Sequence, residues 1–229
     1  DPLWEYWPAN LHMVGKDILR FHTVYWPAFL MAAGLEPPKR VFAHGWWTNE
    51  GQKISKSVGN VIDPIELVDR YGLDPIRYFL LRQVPFGNDG DFSHQAMVHR
   101  LNGDLANDLG NLCQRVMSMV FKNCDRKIPQ AHVLQEIDIK FVSAISESID
   151  ELRQLMAAQA FNQALELIWH HVAQANRYVD EQAPWALRKV DPPRMETVLY
   201  TLTEAIRNLA ILTTPFMPQS MAMMLDQLS

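Results

Sequence analysis

Cysteine is scarce in this sequence, with two residues among 229. Cys113 and Cys124 are too few for a disulfide framework and lack the spacing of a metal site, so a reducing compartment fits best. Long hydrophobic runs and a signal peptide are also missing, which argues against a membrane span or export. We therefore expect no metal site and no membrane partner in a cytoplasmic protein, with the mitochondrial matrix as the alternative compartment.

A strong excess of charge of either sign is missing as well. The sequence has 21 Lys and Arg against 26 Asp and Glu, a formal net charge of −5. This mild acidity argues against a protein coated with nucleic-acid-binding charge, although a local basic patch remains compatible with it. Hydrophobic residues make up 48% of the chain. The chain can therefore bury a sizeable core, and its length fits one or two domains.

The chain opens with DPLWEYWPAN, without an initiator methionine. Hydrophobic patterning then predicts a strand at residues 10–15, a helix at 16–34 and a second strand at 40–48. One such unit cannot bury itself, because a parallel pair needs a wider sheet and covering helices. We therefore expect this chain to be the C-terminal part of a longer protein. The missing part would hold most of an α/β domain and its phosphate-binding element.

Helical signals dominate the rest of the chain. Asp63 and Asp74 each precede a proline, a pattern that predicts the capped starts of two short helices. Residues 85–93 are rich in turn formers and predict a connector. A long helix is expected from Ser93 to about Lys122, with an apolar stripe made of Met97, Leu101, Leu105, Leu109, Leu112, Val116 and Val120. Further helices are expected at 138–157, 160–182, 194–213 and 218–227. These lengths are typical of an antiparallel bundle.

The segment GQKISKSVGN, residues 51–60, gathers Lys53, Ser55, Lys56 and Ser57 between two glycines. Ammonium groups act as point charges on phosphate and hydroxyls donate hydrogen bonds, while glycine lets backbone N–H groups approach an anion. A mobile loop of this kind suits phosphoryl or nucleotidyl transfer, which needs charge where the transition state develops it. A solvated surface loop is the alternative, and the spacing by itself favours it.

The letters KISKS resemble the KMSKS loop of class I aminoacyl-tRNA synthetases, with Ile54 in the methionine position, and the following VGNVIDP is also similar to that superfamily. The resemblance implies that Lys53 and Lys56 hold the triphosphate of ATP, supplied with Mg²⁺, and stabilise the pentavalent transition state at the α-phosphorus. Lys56 is the stronger catalytic candidate. Ser55 and Ser57 join the two lysines as ATP-binding residues.

The letters GKDILRFHTVYWPAFL, residues 15–30, are similar to the methionyl-tRNA synthetase family, which has a G-K-D-I start, an F-H pair and a W-P-A triplet. The resemblance implies that Asp17 contacts the ribose or amino group of methionyl-adenylate. Ile18 and His22 would line the methionine pocket, and Gly15 would let adenosine approach closely. The residues expected near the adenine are His44, Gly45 and Trp47.

The residue types alone leave other interpretations open at these positions. Gly15 at the end of a strand faces the usual ligand crevice, and Asp17 one turn later points toward it. Asp17 can equally be a carboxylate that the helix dipole favours. Without the motif, His22 is more often a core histidine with one satisfied nitrogen.

The long helix that begins at Ser93 also has a polar face. Within one quadrant lie Arg100, Asp104, Asn107, Asn111 and Arg115. Its N-x-x-x-R pair, Asn111 and Arg115, matches the anticodon-binding domain of the methionyl family, and RYVDEQAPW at residues 177–185 matches it letter for letter. The resemblance implies that Asn111, Arg115 and Trp185 read the CAU anticodon, with Trp185 stacked under the first base and Asn176 assisting. The alternatives are an exposed helix pair and a tryptophan that plugs the core.

The sequence patterns and the resemblance together imply a mainly α protein in three regions. Residues 1–48 form the remnant of a Rossmann-like α/β nucleotide-binding domain, 49–92 a connecting region with the lysine loop, and 93–229 an antiparallel α-helical bundle that binds the anticodon. The family implies ATP, methionine and tRNA(Met) as partners, together with the missing N-terminal half. Zinc is expected only in that missing half.

The resemblance implies an ATP-dependent ligase that forms methionyl-adenylate and transfers methionine to tRNA(Met). The HIGH-type element and one wall of the methionine pocket are missing, so we expect negligible aminoacylation by this chain alone. Two alternatives remain open. One is another class I enzyme of the leucyl or valyl type, because the loop and GNVIDP are shared. The other is a non-catalytic module that binds the anticodon of tRNA.

Overall fold

The computed structural model describes residues 2–55, 57 and 59–228. The chain divides into two units, here called unit 1 (Asp1–Ile62 and Val84–Ser93) and unit 2 (Asp63–Gln83 and His94–Ser229). The predicted mainly α fold with a small α/β part is confirmed. Unit 2 takes in a stretch that the prediction placed in the connecting region, and the boundaries of the three functional regions stay a prediction.

The first sheet of unit 1 pairs β1 (His12–Gly15) with β2 (Val41–His44). The strands are parallel, and Gly15 lies opposite His44 at their carboxyl ends. This confirms the strand–helix–strand prediction. The intervening helix has three parts: a 3₁₀ turn at Lys16–Ile18, a π-helical turn at Phe21–Tyr25 and α1 at Trp26–Ala32.

The prediction of one strand at residues 40–48 is wrong. The chain leaves β2 and begins β3 (Trp47–Asn49) in a second sheet, because Gly45 presses its backbone against the chain at Asn88: a Cβ there would lie 2.1 Å from the Asn88 carbonyl oxygen. The predicted connector supplies the third strand of that sheet. The sheet orders β4 (Gln52–Lys53), β3 and β5 (Gly90–Phe92), with β3 antiparallel to β4 and parallel to β5.

Unit 2 is helical. Its α-helices are α2 (Pro64–Tyr71), α3 (Leu73–Gln83), α4 (His94–Arg100), α5 (Asn111–Asn123), α6 (Glu136–Glu147), α7 (Ile149–Ala157), α8 (Phe161–Gln182), α9 (Pro184–Val190), α10 (Pro192–Thr213) and α11 (Pro218–Asp226). A π-helical stretch, Leu101–Gly110, joins α4 to α5, so the predicted long helix is present as one continuous run. Among the described residues, no helix is both long and apolar enough to span a membrane.

Three local predictions in unit 2 need correction. Asp63 caps α2 by accepting the Ile65 N–H at 2.8 Å, as expected, but Asp74 does not cap α3. That helix already begins at Leu73, and the buried Asp74 carboxylate accepts the backbone N–H of Ser220 instead. The predicted helix at 138–157 is broken at Ser148. The short helix α9 was not predicted.

The core of unit 2 contains most of the predicted apolar stripe. Its fully buried members are Met97, Leu109, Leu112, Val116 and Val120. A buried ion pair lies beside this core, where Arg194 of α10 makes two hydrogen bonds to Asp138 of α6. The Tyr178 hydroxyl of α8 and the Gln135 N–H donate to the same carboxylate. One carboxylate therefore ties three helices together.

Candidate functional site

The lysine loop begins on a tight hairpin in unit 1. Glu50 and Gly51 both have positive φ, at 50° and 74°, as the two-residue turn between antiparallel strands requires. Lys53 ends β4 directly opposite Thr48. Asp91 of β5 accepts hydrogen bonds from the Thr48 hydroxyl and the Gly51 N–H. These bonds lower the pKa of the Asp91 carboxyl, so the hairpin is held by an ionised side chain.

Asn60 closes the loop, a structural role that the sequence patterns did not predict. Its side-chain oxygen accepts the Ser55 N–H at 2.8 Å, and its amide nitrogen donates to the Lys53 carbonyl at 3.1 Å. The Asn49 side chain in β3 donates to the Asn60 carbonyl at 2.9 Å. Asn60 therefore joins both ends of the loop to the second sheet. The signal was present as the asparagine of VGNVIDP.

Within the loop, the Ser55 and Ser57 hydroxyls lie 2.7 Å apart. The Gly59 N–H donates to the Ser55 carbonyl at 3.1 Å, so the two serines are held on a turn. Lys56, the stronger catalytic candidate, lies outside the described residues. Its role stays a prediction.

Gly15 and Asp17 are brought together at the carboxyl end of β1. A Cβ on Gly15 would lie 2.5 Å from the Asp17 Oδ1, so the carboxylate folds over the space that the glycine leaves open. His44 is adjacent on β2, and its Nδ1 lies 2.9 Å from the Gly45 carbonyl. The contacts of these residues with methionyl-adenylate stay a prediction.

Two tryptophans follow the end of β2, and they differ in their surroundings. The Trp47 ring packs over Gly90, where an added Cβ would meet it at 3.2 Å. Trp46 is 48% exposed, and the ammonium groups of Lys16 and Lys53 lie 4.3 and 5.8 Å from the centre of its ring. Trp47 was the tryptophan expected near the adenine, whereas Trp46 and Lys16 were not predicted as site residues.

A cavity of about 620 Å³ lies beside β1 and the helix that follows it. Its lining is Leu11, His12, Met13, Val14, Phe21, His22, Tyr25, Trp26 and Phe29. His22 is half-buried and its Nδ1 lies 3.0 Å from the Ile18 carbonyl. Ile18 is exposed and is not part of this lining in the described chain. The cavity therefore brings His22, but not Ile18, to a largely aromatic wall.

In unit 2, Arg115 and Trp185 meet on the surface. Trp185 is 47% exposed, which argues against a tryptophan that plugs the core. The Arg115 guanidinium lies 5.5 Å from the centre of the indole and also donates to Asp180. Asn111, one turn before Arg115, is exposed, and the Asn176 amide donates to the carbonyls of two helices. The structure thus gathers a cation, an indole and amides on one face.

An apolar cavity of about 240 Å³ opens next to this indole. It is lined by Arg115, Val116, Ser118, Met119, Val179, Pro184, Trp185, Leu199 and Leu202. A flat aromatic ring beside an apolar recess, with a guanidinium at its edge, can stack and hydrogen-bond an unstacked base. No cluster of three or more potential metal-binding side chains occurs among the residues that the structure describes.

A lysine loop beside the carboxyl ends of parallel strands, followed by helices that carry an exposed indole, is the arrangement expected for a class I aminoacyl-tRNA synthetase. Residues 1–117 match the family described as tRNA synthetases class I (M), which is about half of the chain. Residues 128–229 match the family described as anticodon binding domain of methionyl tRNA ligase. The chain belongs to the methionyl branch of the class I synthetases.

Relatives of this chain include methionyl enzymes. The methionine–tRNA ligase of Brucella suis biovar 1 is 57% identical over 229 residues, 100% of this chain and 44% of the relative. That of Mesorhizobium japonicum is 54% identical over 226 residues, covering 99% and 44%. A structure of Mycobacterium tuberculosis methionyl-tRNA synthetase in complex with methionyl-adenylate matches with a TM-score of 0.93 and 50% identity, over 96% of this chain and 44% of that one. The chain spans less than half the length of these proteins.

Proposed function

We propose that this chain is the C-terminal part of a methionine–tRNA ligase. The observation that carries the proposal is the hairpin-mounted Lys53 beside the carboxyl ends of β1 and β2, in a chain 50% identical to a synthetase solved with methionyl-adenylate. Ligands of open α/β sheets bind at that edge. The substrates would be methionine, ATP as its magnesium complex, and tRNA(Met).

In the first step a carboxylate oxygen of methionine attacks the α-phosphorus of ATP. The bond between that phosphorus and the oxygen bridging to the β-phosphate breaks, and pyrophosphate leaves with the electron pair. Negative charge grows on the phosphate oxygens, so an ammonium group placed there stabilises the transition state. Lys53 supplies such a group on a hairpin fixed by Asp91. Lys56 would supply the second.

The methionine side chain would occupy the aromatic cavity beside β1. An unbranched thioether packs well against aromatic edges, and the cavity presents Phe21, Tyr25 and Trp26 around His22. Asp17, folded over Gly15, would face the ribose or amino group of the adenylate. Ile18 would contribute only after a rearrangement of the turn that holds it.

The helical unit would select the tRNA. Trp185 would stack under the first anticodon base, while Arg115 and Asn111 reach base edges and Asn176 fixes the neighbouring helices. Aminoacyl transfer would require the N-terminal half of the enzyme, which we propose as the partner of unit 1. We place the protein in the cytoplasm, with the mitochondrial matrix as the alternative.

The test uses the longer protein that contains this chain. We expect ATP–pyrophosphate exchange that depends on methionine and not on leucine or valine. Lys53→Ala should reduce its kcat at least tenfold, because the lost charge acts in the transition state. Exchange driven by leucine or valine would support another class I enzyme. Anticodon-dependent tRNA binding with no exchange for any amino acid would support the non-catalytic module.

A further inference from the structure

We propose that Lys16 is a second phosphate-binding residue of the nucleotide site, paired with Lys53 across the indole of Trp46. The inference rests on the proposed function, which places ATP at this edge of unit 1. It assigns a role to two residues, Lys16 and Trp46, that the family motifs leave without one.

Three segments of the chain converge at this point. Lys16 directly follows the carboxyl end of β1, and Trp46 lies two residues beyond the carboxyl end of β2, its parallel neighbour. Lys53 comes from the hairpin. Residues just beyond the carboxyl ends of adjacent parallel strands line the ligand crevice of an α/β sheet. The two ammonium groups therefore meet one exposed ring where a nucleotide is expected.

Asp89 holds the Lys16 ammonium in place. The ammonium nitrogen lies 2.6 and 2.7 Å from the two carboxylate oxygens of Asp89. The backbone N–H of Trp46 donates to the same carboxylate at 2.9 Å. The hydrogen bond from Lys16, followed by that from Trp46, lowers the pKa of Asp89. The carboxylate is thus ionised, and it links the lysine to the backbone under the ring.

The ion pair leaves capacity for a phosphate. An ammonium group has three N–H donors, and Asp89 accepts two of them. Both side chains are exposed, at 37% and 55%, and exposed ion pairs are weak, so a triphosphate can share or displace the carboxylate. Within the described chain, Lys53 forms no ion pair. The Lys53 ammonium group is therefore available to a phosphate beside the ring.

Lys16 and Lys53 are expected to act differently in the reaction. Lys16 projects from the end of a strand and is fixed by Asp89, so it would bind the phosphates equally in the ground state and the transition state. An interaction of that kind changes KM and not kcat. Lys53 belongs to the catalytic loop, and its loss should lower kcat. This difference separates a phosphate-binding role for Lys16 from general damage to the site.

The test is Lys16→Met in the longer protein that contains this chain. We expect KM for ATP in methionine-dependent exchange to rise roughly tenfold, the loss of one charge-assisted hydrogen bond, with kcat within twofold. Lys16→Arg should keep KM within about threefold because the charge remains. Trp46→Phe should raise KM for ATP less than Trp46→Ala does, since a phenyl ring still attracts cations.

Lys39→Met is the matched control. Lys39 lies at the other end of the same two strands, just before β2 begins, and its ammonium nitrogen is 3.0 Å from the Asn10 side-chain oxygen. Its loss removes the same charge from the same unit, and KM for ATP should not change. Three outcomes would each overturn the proposal. KM for ATP could rise equally in Lys16→Met and Lys39→Met, or it could stay unchanged in Lys16→Met. The third is a Lys16→Arg variant whose KM rises as much as that of Lys16→Met.

A direct binding measurement keeps the two proposals distinguishable. Calorimetric titration with MgATP in the absence of methionine reports phosphate binding even if the wild-type protein exchanges nothing. If the protein shows no methionine-dependent exchange but still binds ATP in a way that depends on Lys16, the proposed function alone is refuted. Normal exchange with an unchanged dissociation constant for ATP in a folded Lys16→Met variant would refute this inference alone.

Discussion

The guanidinium of Arg115 lies 5.5 Å from the centre of the Trp185 ring, and the same group is paired with Asp180. One cation thus orients an indole that is half open to solvent. Because Asp180 accepts only one of the guanidinium N–H groups in this pair, others remain for a base or a phosphate. The arrangement joins a stacking surface to a hydrogen-bond donor.

Trp185→Ala should weaken the binding of tRNA(Met). Stacking of a base on an aromatic side chain contributes about 1–3 kcal/mol, so the dissociation constant should rise roughly fivefold or more in a filter-binding assay. Phe121→Ala is the matched control, because Phe121 is exposed on the same α5 helix as Arg115 and also carries a guanidinium, that of Arg126, at 4.7 Å. Equal losses in the two variants would argue against a specific role for Trp185.

Asn60→Ala should release the lysine loop from the second sheet. Two side-chain hydrogen bonds are lost, at about 1 kcal/mol each, so kcat of pyrophosphate exchange should fall roughly tenfold and trypsin should cut after Lys53 faster. Asn10→Ala is the control: it removes a surface asparagine just before β1 begins and should change neither kcat nor the rate of cleavage by trypsin. Normal kcat with unchanged cleavage would mean that the loop is positioned without Asn60.

Gly45→Ala should destabilise unit 1. The new methyl group would lie 2.1 Å from the Asn88 carbonyl oxygen and 2.5 Å from the Asp89 nitrogen, which are backbone atoms that cannot turn aside. We expect the free energy of unfolding to fall by about 1–3 kcal/mol or more, as for an overpacked site, measured by thermal unfolding and limited proteolysis. Gly103→Ala meets nothing within 4 Å and should be neutral or slightly stabilising. A tolerated Gly45→Ala would contradict the close approach.

Unit 2 should lose stability in acid through Asp138. Burial alone would raise the pKa of this carboxyl, but the hydrogen bonds from Arg194, Tyr178 and the Gln135 N–H together lower it. A pKa that is lower in the folded chain means that the stabilisation is complete above the unfolded value, near 4, and is lost as the pH falls through the folded value. Guanidinium chloride titrations at a series of pH values measure this slope.

Two variants separate the causes of that slope. Asp138→Asn should flatten the decline below pH 4, since it removes the titrating group. Arg194→Met should destabilise the chain by about 3–5 kcal/mol near pH 7, because it leaves the buried Asp138 charge without its cationic partner. Part of that loss should disappear at acidic pH, when Asp138 can become neutral. A pH-independent loss in Arg194→Met would show that the ion pair is not its cause.

Hydrophobic periodicity predicted the long first helix of the bundle and the burial of its stripe, because helix geometry places every third or fourth side chain on one face. It failed where a longer-range contact overrode the local pattern. The strand predicted at 40–48 is divided by the approach of the chain at Asn88, which lies more than 40 residues away. Asp74 has the pattern of a helix cap, yet it binds Ser220 at the other end of the chain.

The sequence by itself determined most of the helices, the first two strands, the lysine loop and the family, since each is written in a short continuous stretch of residues. The tertiary structure alone decided which distant polar groups meet: Lys16 with Asp89, 73 residues apart, and Arg115 with Asp180, 65 apart. The physical reason is that the two kinds of interaction act over different distances along the chain. Backbone hydrogen bonding repeats over a few residues, whereas side-chain pairing depends on how whole strands and helices pack.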